Sequence, residues 1–139
     1  MSVVINDQGF ASDDWDAGYT PLQDFPSDEP GRNLSLDLPS DTDPAQLSGK
    51  LEPVMMIRVD FPSFSDGRGF TIARALRRMG YDGRLRAAGH VIADQYAMAR
   101  RCGFDEVEIP DDLAQRQPEE HWLRRADWTA HDYQTRMRG

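Results

Sequence analysis

VMMIRVDFPSFSDGRGFTIARALRRMG, residues 54–80, decides the fold. Its first eight residues form a mostly apolar run with Arg58 as the early interruption, the pattern of a strand buried on both faces. Beyond the turn-rich PSFSDGRG, residues Ile72, Ala73, Ala75, Leu76 and Met79 share one arc of a helical wheel. Arg74, Arg77 and Arg78 share the opposite arc, so residues 70–79 read as an amphipathic helix with a basic outer face, stopped by Gly80. A strand followed at once by a helix is half of a βαβ unit.

The pattern repeats outward in both directions. RLRAAG (84–89) is a strand, VIADQYAMARRC (91–102) a helix with Gly103 as its C-cap, and DEVEI (105–109) a strand ended by Pro110. Pro118 opens a C-terminal helix toward Tyr133 with a break near Asp127, and Trp122, Ala126, Ala130 and Tyr133 make a stripe suited to core or dimer contact. Upstream, LSLDL (34–38) alternates as a short strand, and Pro44 behind the Asp/Thr cap of DTDP starts a short helix. Residues 34–139 therefore read as one α/β domain of repeated βα units, a parallel sheet of about four strands with flanking helices. A small open sheet and half of a (βα)8 barrel fit equally. Residues 1–33 read as an acidic, partly ordered extension with one short strand at Val3–Ile5. Its Phe10, Trp15, Tyr19, Leu22 and Phe25 are too many for a purely disordered tail and call for docking on the domain or on a second subunit.

Length and composition bound the function. A chain of 139 residues with 39% hydrophobic content can bury a core, and its mean hydropathy is -0.67. No apolar run approaches the roughly 18 residues of a membrane span. The N-terminus lacks the basic region of a signal peptide and turns acidic at once, so a cytoplasmic location is expected. Cys102 is the single cysteine, which excludes an internal disulfide and a cysteine-ligated metal cluster within one chain. Charge is unevenly placed. Residues 1–66 carry thirteen acids against Arg32, Lys50 and Arg58, whereas residues 67–101 carry eight arginines against Asp82 and Asp94. The net charge of -8 argues against a nucleic-acid partner; the arginine cluster suits a local anion or an acidic protein face.

In parallel α/β sheets, ligands bind at the carboxyl ends of the strands. Those ends are 60–69, 89–90 and 110–112. Gly67 and Gly69 permit close backbone approach at a helix N-terminus that favours anions, with Arg68 between them as a clamp; Asp66 and the glycines serve equally as an ordinary cap and turn. The spacing is neither a P-loop nor a dinucleotide fingerprint. Gln95 falls within the apolar arc of Val91, Ile92, Tyr96, Met98, Ala99 and Cys102, so its amide either ties strand ends together or points at a ligand. Asp94 borders that arc, and His90 follows a strand directly, where it is either a general acid/base or incidental. His121 and His131 are out of phase for a metal pair, and Cys102 reads as a buried hydrophobe at a helix end that disfavours a thiolate. No metal and no cofactor are expected, and no catalytic residue is assigned.

FPSFSDGRGFTIARALR, GRLRAAGHVIADQYAMARRCGFDEVEI and a terminal YQ together resemble a bacterial domain-of-unknown-function family, number 934, of small cytoplasmic proteins. The likeness covers about residues 34–134 and includes the DDW at 13–15. The family's recurring residues match Phe61, Pro62, Phe64, Asp66, Gly67, Arg68, Gly69, Arg74, Arg86, Gly89, Asp94, Gln95, Arg101, Gly103, Phe104 and Asp105. Where this chain has His90 and Ala93, the family often has an acid and a basic residue. The resemblance implies a place beside assimilatory sulfite reductase, under the label of a predicted oxidoreductase, although the chain has no redox motif. Two functions follow as expectations. In the first, an accessory protein binds sulfite reductase or its electron donor through Arg74, Arg77, Arg78, Arg84 and Arg86, with a homodimer as a further association. In the second, a small enzyme or anion sensor holds sulfite, sulfate or a phosphorylated metabolite with Asp66, Gly67, Arg68, Gly69, Gly89, His90, Asp94 and Gln95.

Overall fold

Strands β1 (Ser2–Asn6) and β2 (Gly9–Ala11) form a hairpin, and a two-residue strand β3 (Thr20–Pro21) follows. The parallel strands β4 (Leu34–Leu38), β5 (Val54–Phe61), β6 (Arg84–Gly89) and β7 (Glu106–Pro110) come next. Helix α1 (Arg68–Arg78) links β5 to β6, α2 (Tyr96–Cys102) links β6 to β7, and α3 (Asp111–Arg116) and α4 (Glu119–Leu123) follow β7. The computed structural model describes residues 2–15, 18–24 and 34–126. Phe25, Asp127, Ala130, His131 and Tyr133, used in the sequence reading, lie outside the described residues.

The sheet has seven strands in the order β2-β1-β7-β6-β5-β4-β3, not about four, and it is mixed rather than purely parallel. β3 to β7 are parallel; β1 runs antiparallel to both β2 and β7. The reason is edge protection. A four-stranded β4–β7 sheet would expose unpaired backbone groups along β4 and β7. The hairpin covers β7, with Ser2 opposite Pro110 and Ile5 opposite Val107, and β3 covers β4. Gly9, at φ 109, sits where the hairpin turn needs the left-handed region, and the Asn6 side chain accepts the Gln8 N–H.

β4 to β7 lie side by side in chain order, and α1 and α2 touch each other over one face of the sheet. That face is apolar: Ile57, Val59, Phe61, Leu85, Ala87, Val107 and Ile109 meet Ile72, Leu76, Tyr96, Ala99 and Trp122 in one core. Phe61, Phe70 and Phe104 pack edge to face with centroids 5.0 to 6.5 Å apart. Strand alternation sends the intervening side chains to the opposite face. There, in register across four strands, stand Asp37, Arg58, Arg86 and Glu106. The chain between β2 and β3 joins the two far edges of the sheet, and the described parts of it bring Asp13, Asp14, Trp15 and Tyr19 onto this charged face.

The second helix is shorter than the 91–102 periodicity predicts. Residues Ala93–Gln95 form a 3-10 turn before α2, and the short helix at Pro44–Leu47 is likewise 3-10, capped by Asp43.

Candidate functional site: the cleft at the strand ends

A cleft of about 580 Å³ opens on the charged face at the carboxyl ends of β4 to β7. Pro21, Pro39, Ala88 and Pro110 make apolar walls, and Asp37, Arg58, Asp60 and Glu108 bring charge. Arg58 is already engaged. Its Nε and Nη2 donate to the two Asp37 oxygens at 3.1 and 2.8 Å, and Nη1 donates to Glu108 at 3.3 Å. The Asp37 hydrogen bonds outweigh partial burial and hold the guanidinium firmly protonated. Tyr19 lies against its flat side, 3.8 Å from ring centroid to guanidinium carbon.

Behind the cleft, Arg86 is fully buried yet charged, because burial opposes its charge while Glu106 and Glu108 outweigh that. Its Nε donates to Glu106 at 2.6 Å, and Nη1 donates to Glu108 at 2.9 Å and to Asp13 at 3.1 Å. Arg84 spans Glu106 and Asp14 at 2.5 and 2.6 Å. Asp14 is in turn held below the usual carboxylate range by its Arg84 hydrogen bond. The acidic N-terminus and the arginine-rich strands therefore neutralise one another within the chain.

Asp60 differs from its neighbours. No hydrogen bond or ion pair reaches its carboxylate among the described residues. Desolvation by the cleft wall, then repulsion from Asp37, push its pKa up, although the side chain still reaches solvent.

The residues predicted to hold an anion are spread over several places. Asp66 and Arg68 form a bidentate pair, Nε to Oδ1 at 3.0 Å and Nη2 to Oδ2 at 2.7 Å, and Arg68 also donates to Ser40. The Arg68 backbone N–H donates to the same Asp66 carboxylate at 3.1 Å, so Asp66 already sits on the start of α1. Gly67 caps α1, and Gly69 lies so close to Phe61 that a Cβ there would come within 2.4 Å of the ring. Gly89 lines the cleft; His90 is exposed in a separate groove of about 390 Å³ with Phe64 and Ile92. Asp94 pairs with Arg125 at 2.5 Å. The Gln95 amide accepts the Ile92 N–H and donates to the Phe64 carbonyl at 2.7 Å, tying the two strand-end loops together.

The arginines predicted to meet a partner divide into two groups. Arg74 and Arg78 are exposed on α1. Arg77 donates to the carbonyls of Tyr81, Gly83 and Gly103 and to Asp105, so it fastens two loops instead. Arg84 and Arg86 belong to the charged face, and Arg86 offers no surface to a partner. Cys102 is buried, and burial pushes its thiol up. Among the described residues, no three His, Cys, Asp or Glu side chains gather as a metal site, and no helix is long and apolar enough to cross a membrane.

Sequence reasoning passed over Asp37, Asp60 and Glu108. The available signal was the period-two placement of charge on consecutive strands: Asp37, then Arg58 and Asp60, then Arg84 and Arg86, then Glu106 and Glu108.

A family described as bacterial protein of unknown function (DUF934) matches residues 35–139. The chain belongs to this family. The match begins inside β4, so the hairpin, the crossing segment and β3 precede the family's matched region. No curated protein and no solved structure matches the chain. Within the family region, the RCGFD stretch has a local explanation. Gly103, at φ 114, ends α2 in the left-handed region, Phe104 enters the core, and Asp105 accepts the Leu85 N–H at 2.9 Å.

Proposed function

We propose that this chain is an accessory protein of assimilatory sulfite reduction that docks on sulfite reductase or its electron donor through the outer face of α1. The pathway rests on the sequence resemblance. The observation that carries the docking surface is the selective use of arginine. Arg77, Arg84, Arg86 and Arg100 are held by carboxylates or carbonyls of the same chain. Arg74 and Arg78 stand exposed one turn apart, and neither has an ion pair among the described residues. On a chain of net charge -8, such a basic strip favours an acidic partner surface and orients its approach.

Capture of sulfite reductase by the tagged protein, repeated with Arg74→Glu and Arg78→Glu together, tests this reading. Charge reversal is expected to abolish capture at low salt. Equal capture by the variant, or none by the wild type, removes it. Growth of a deletion strain on sulfate compared with sulfide tests the pathway separately. The anion-sensor reading requires sulfite, sulfate or a phosphate ester to displace the Asp66 carboxylate from Arg68, and a concentration-dependent thermal shift with those anions would favour it.

A further inference from the structure

We infer that the cleft at the carboxyl ends of β4 to β7 binds a small organic cation, an alkyl ammonium or guanidinium compound, through the carboxylate of Asp60. Charge pairing carries the argument. Asp37 is bound by Arg58, and Glu108 is shared between Arg58 and Arg86. The third cleft carboxylate, Asp60, has no such partner among the described residues. An anion entering here would meet three carboxylates, while the one arginine lining the cleft has its donors on Asp37 and Glu108 and its face on Tyr19. A cation completes the pattern instead, as the missing partner of Asp60.

Shape agrees with charge. The cleft is large enough for a small ligand, and Pro21, Pro39, Ala88 and Pro110 offer apolar surface to the methylenes of an alkyl chain. Gly89 keeps the space beside Asp60 open. A Cβ at that position would lie 3.5 Å from Asp60 Oδ1 and 2.5 Å from the Phe61 carbonyl oxygen, and its φ of 119 favours glycine. This site lies on the sheet face away from α1, so it stands or falls independently of the docking surface.

The test is a titration of the full chain, labelled with nitrogen-15, with butylamine and putrescine, using butyrate as a control of equal chain length and opposite charge. Saturable shifts are expected at the amides of Ala88, Gly89 and Ile109 with both amines and at none of them with butyrate. Asp60→Asn, which removes charge but no structural partner, is expected to weaken the amine response at least fivefold while leaving the remaining spectrum in place. Arg74→Glu should leave it unchanged. Absence of saturable shifts in the wild type, an equal response in Asp60→Asn, or comparable binding of butyrate would overturn the inference.

Discussion

The guanidinium carbon of Arg58 lies over the ring of Tyr19, 3.8 Å from its centroid, so an aromatic from the first twenty residues covers a charge on β5. The ring contributes through its face. Its hydroxyl oxygen is buried and meets no hydrogen-bond partner among the described residues, and burial pushes the phenol pKa up. Tyr19→Phe keeps the stacking and removes the unpaired hydroxyl, so it is expected to be neutral or to stabilise by up to ~1 kcal/mol. Tyr19→Ala loses the ring and should cost about 1–2 kcal/mol. Urea denaturation of the two variants checks the order; a Phe variant as unstable as the Ala variant would refute the stacking argument.

Arg86 offers a sharper test because its side chain is fully buried among carboxylates. Arg86→Met leaves Glu106 and Glu108 without that cation, and a loss of ~3–5 kcal/mol is expected. Adding Glu106→Gln should recover part of it, since one of the stranded charges is then gone. The recovery will be incomplete because Glu106 also holds Arg84. A single variant within about 1 kcal/mol of the wild type in chemical denaturation would show that the network is not coupled as described.

Gly69 and Gly67 separate packing from helix propensity. Alanine suits a helix interior better than glycine by ~1 kcal/mol, so propensity alone favours Gly69→Ala, whereas Gly67 is the N-cap, where that preference does not apply. At Gly69, however, the new Cβ would meet the Phe61 ring at 2.4 Å, and that ring is wedged between Phe70 and Phe104. Gly69→Ala is therefore expected to destabilise by about 1–3 kcal/mol. At Gly67 the nearest atom is 4.0 Å away, and alanine there should change thermal stability little. Similar melting temperatures for the two variants would contradict the close packing of α1 on β5.

Two carboxylates should titrate with opposite consequences. Asp66 is lowered from 3.8 to about 2, first by its hydrogen bonds from the Arg68 side chain and then by the Arg68 backbone N–H. Its folded pKa is depressed, so its contribution is fully present above pH 3.8 and disappears as pH falls through about 2. Asp66→Asn should therefore lose stability less steeply than the wild type on acidification. Asp60 is raised instead, so its penalty is absent below its unfolded pKa and develops as pH rises through the folded value. Asp60→Asn should be at least as stable as the wild type at pH 7. Carbon-13 carboxyl titration reads both midpoints directly; an Asp66 midpoint above that of Asp60 would reverse the assignment.

The four central strands were legible because each carries its own alternation or apolar run, and Leu34–Leu38, Val54–Phe61 and Arg84–Gly89 fall where the pattern placed them. The hairpin's place was not, because β1 pairs with residues more than a hundred positions away, and nothing local in SVVIN names that partner. The arginines of RLRAAG were read as surface for a related reason. Arg86 is buried only because Glu106, Glu108 and Asp13 reach it from other elements. The cleft was legible in place, since parallel strands direct ligands to their carboxyl ends. Its chemistry was not, because identifying Asp60 as the carboxylate without a partner requires knowing which arginines Asp37 and Glu108 had already found.

The pairing of β1 with β7 also sets an order of events during synthesis. Ser2 precedes its partner Pro110 by more than a hundred residues, so it leaves the ribosome long before that partner exists. Until β7 forms, the first strand has no neighbour in the sheet but β2, and the acidic segment behind it lacks Arg84 and Arg86 until β6 emerges. Such distant contacts slow folding, so the parallel strands and their helices should assemble first, and the N-terminal residues close over them last.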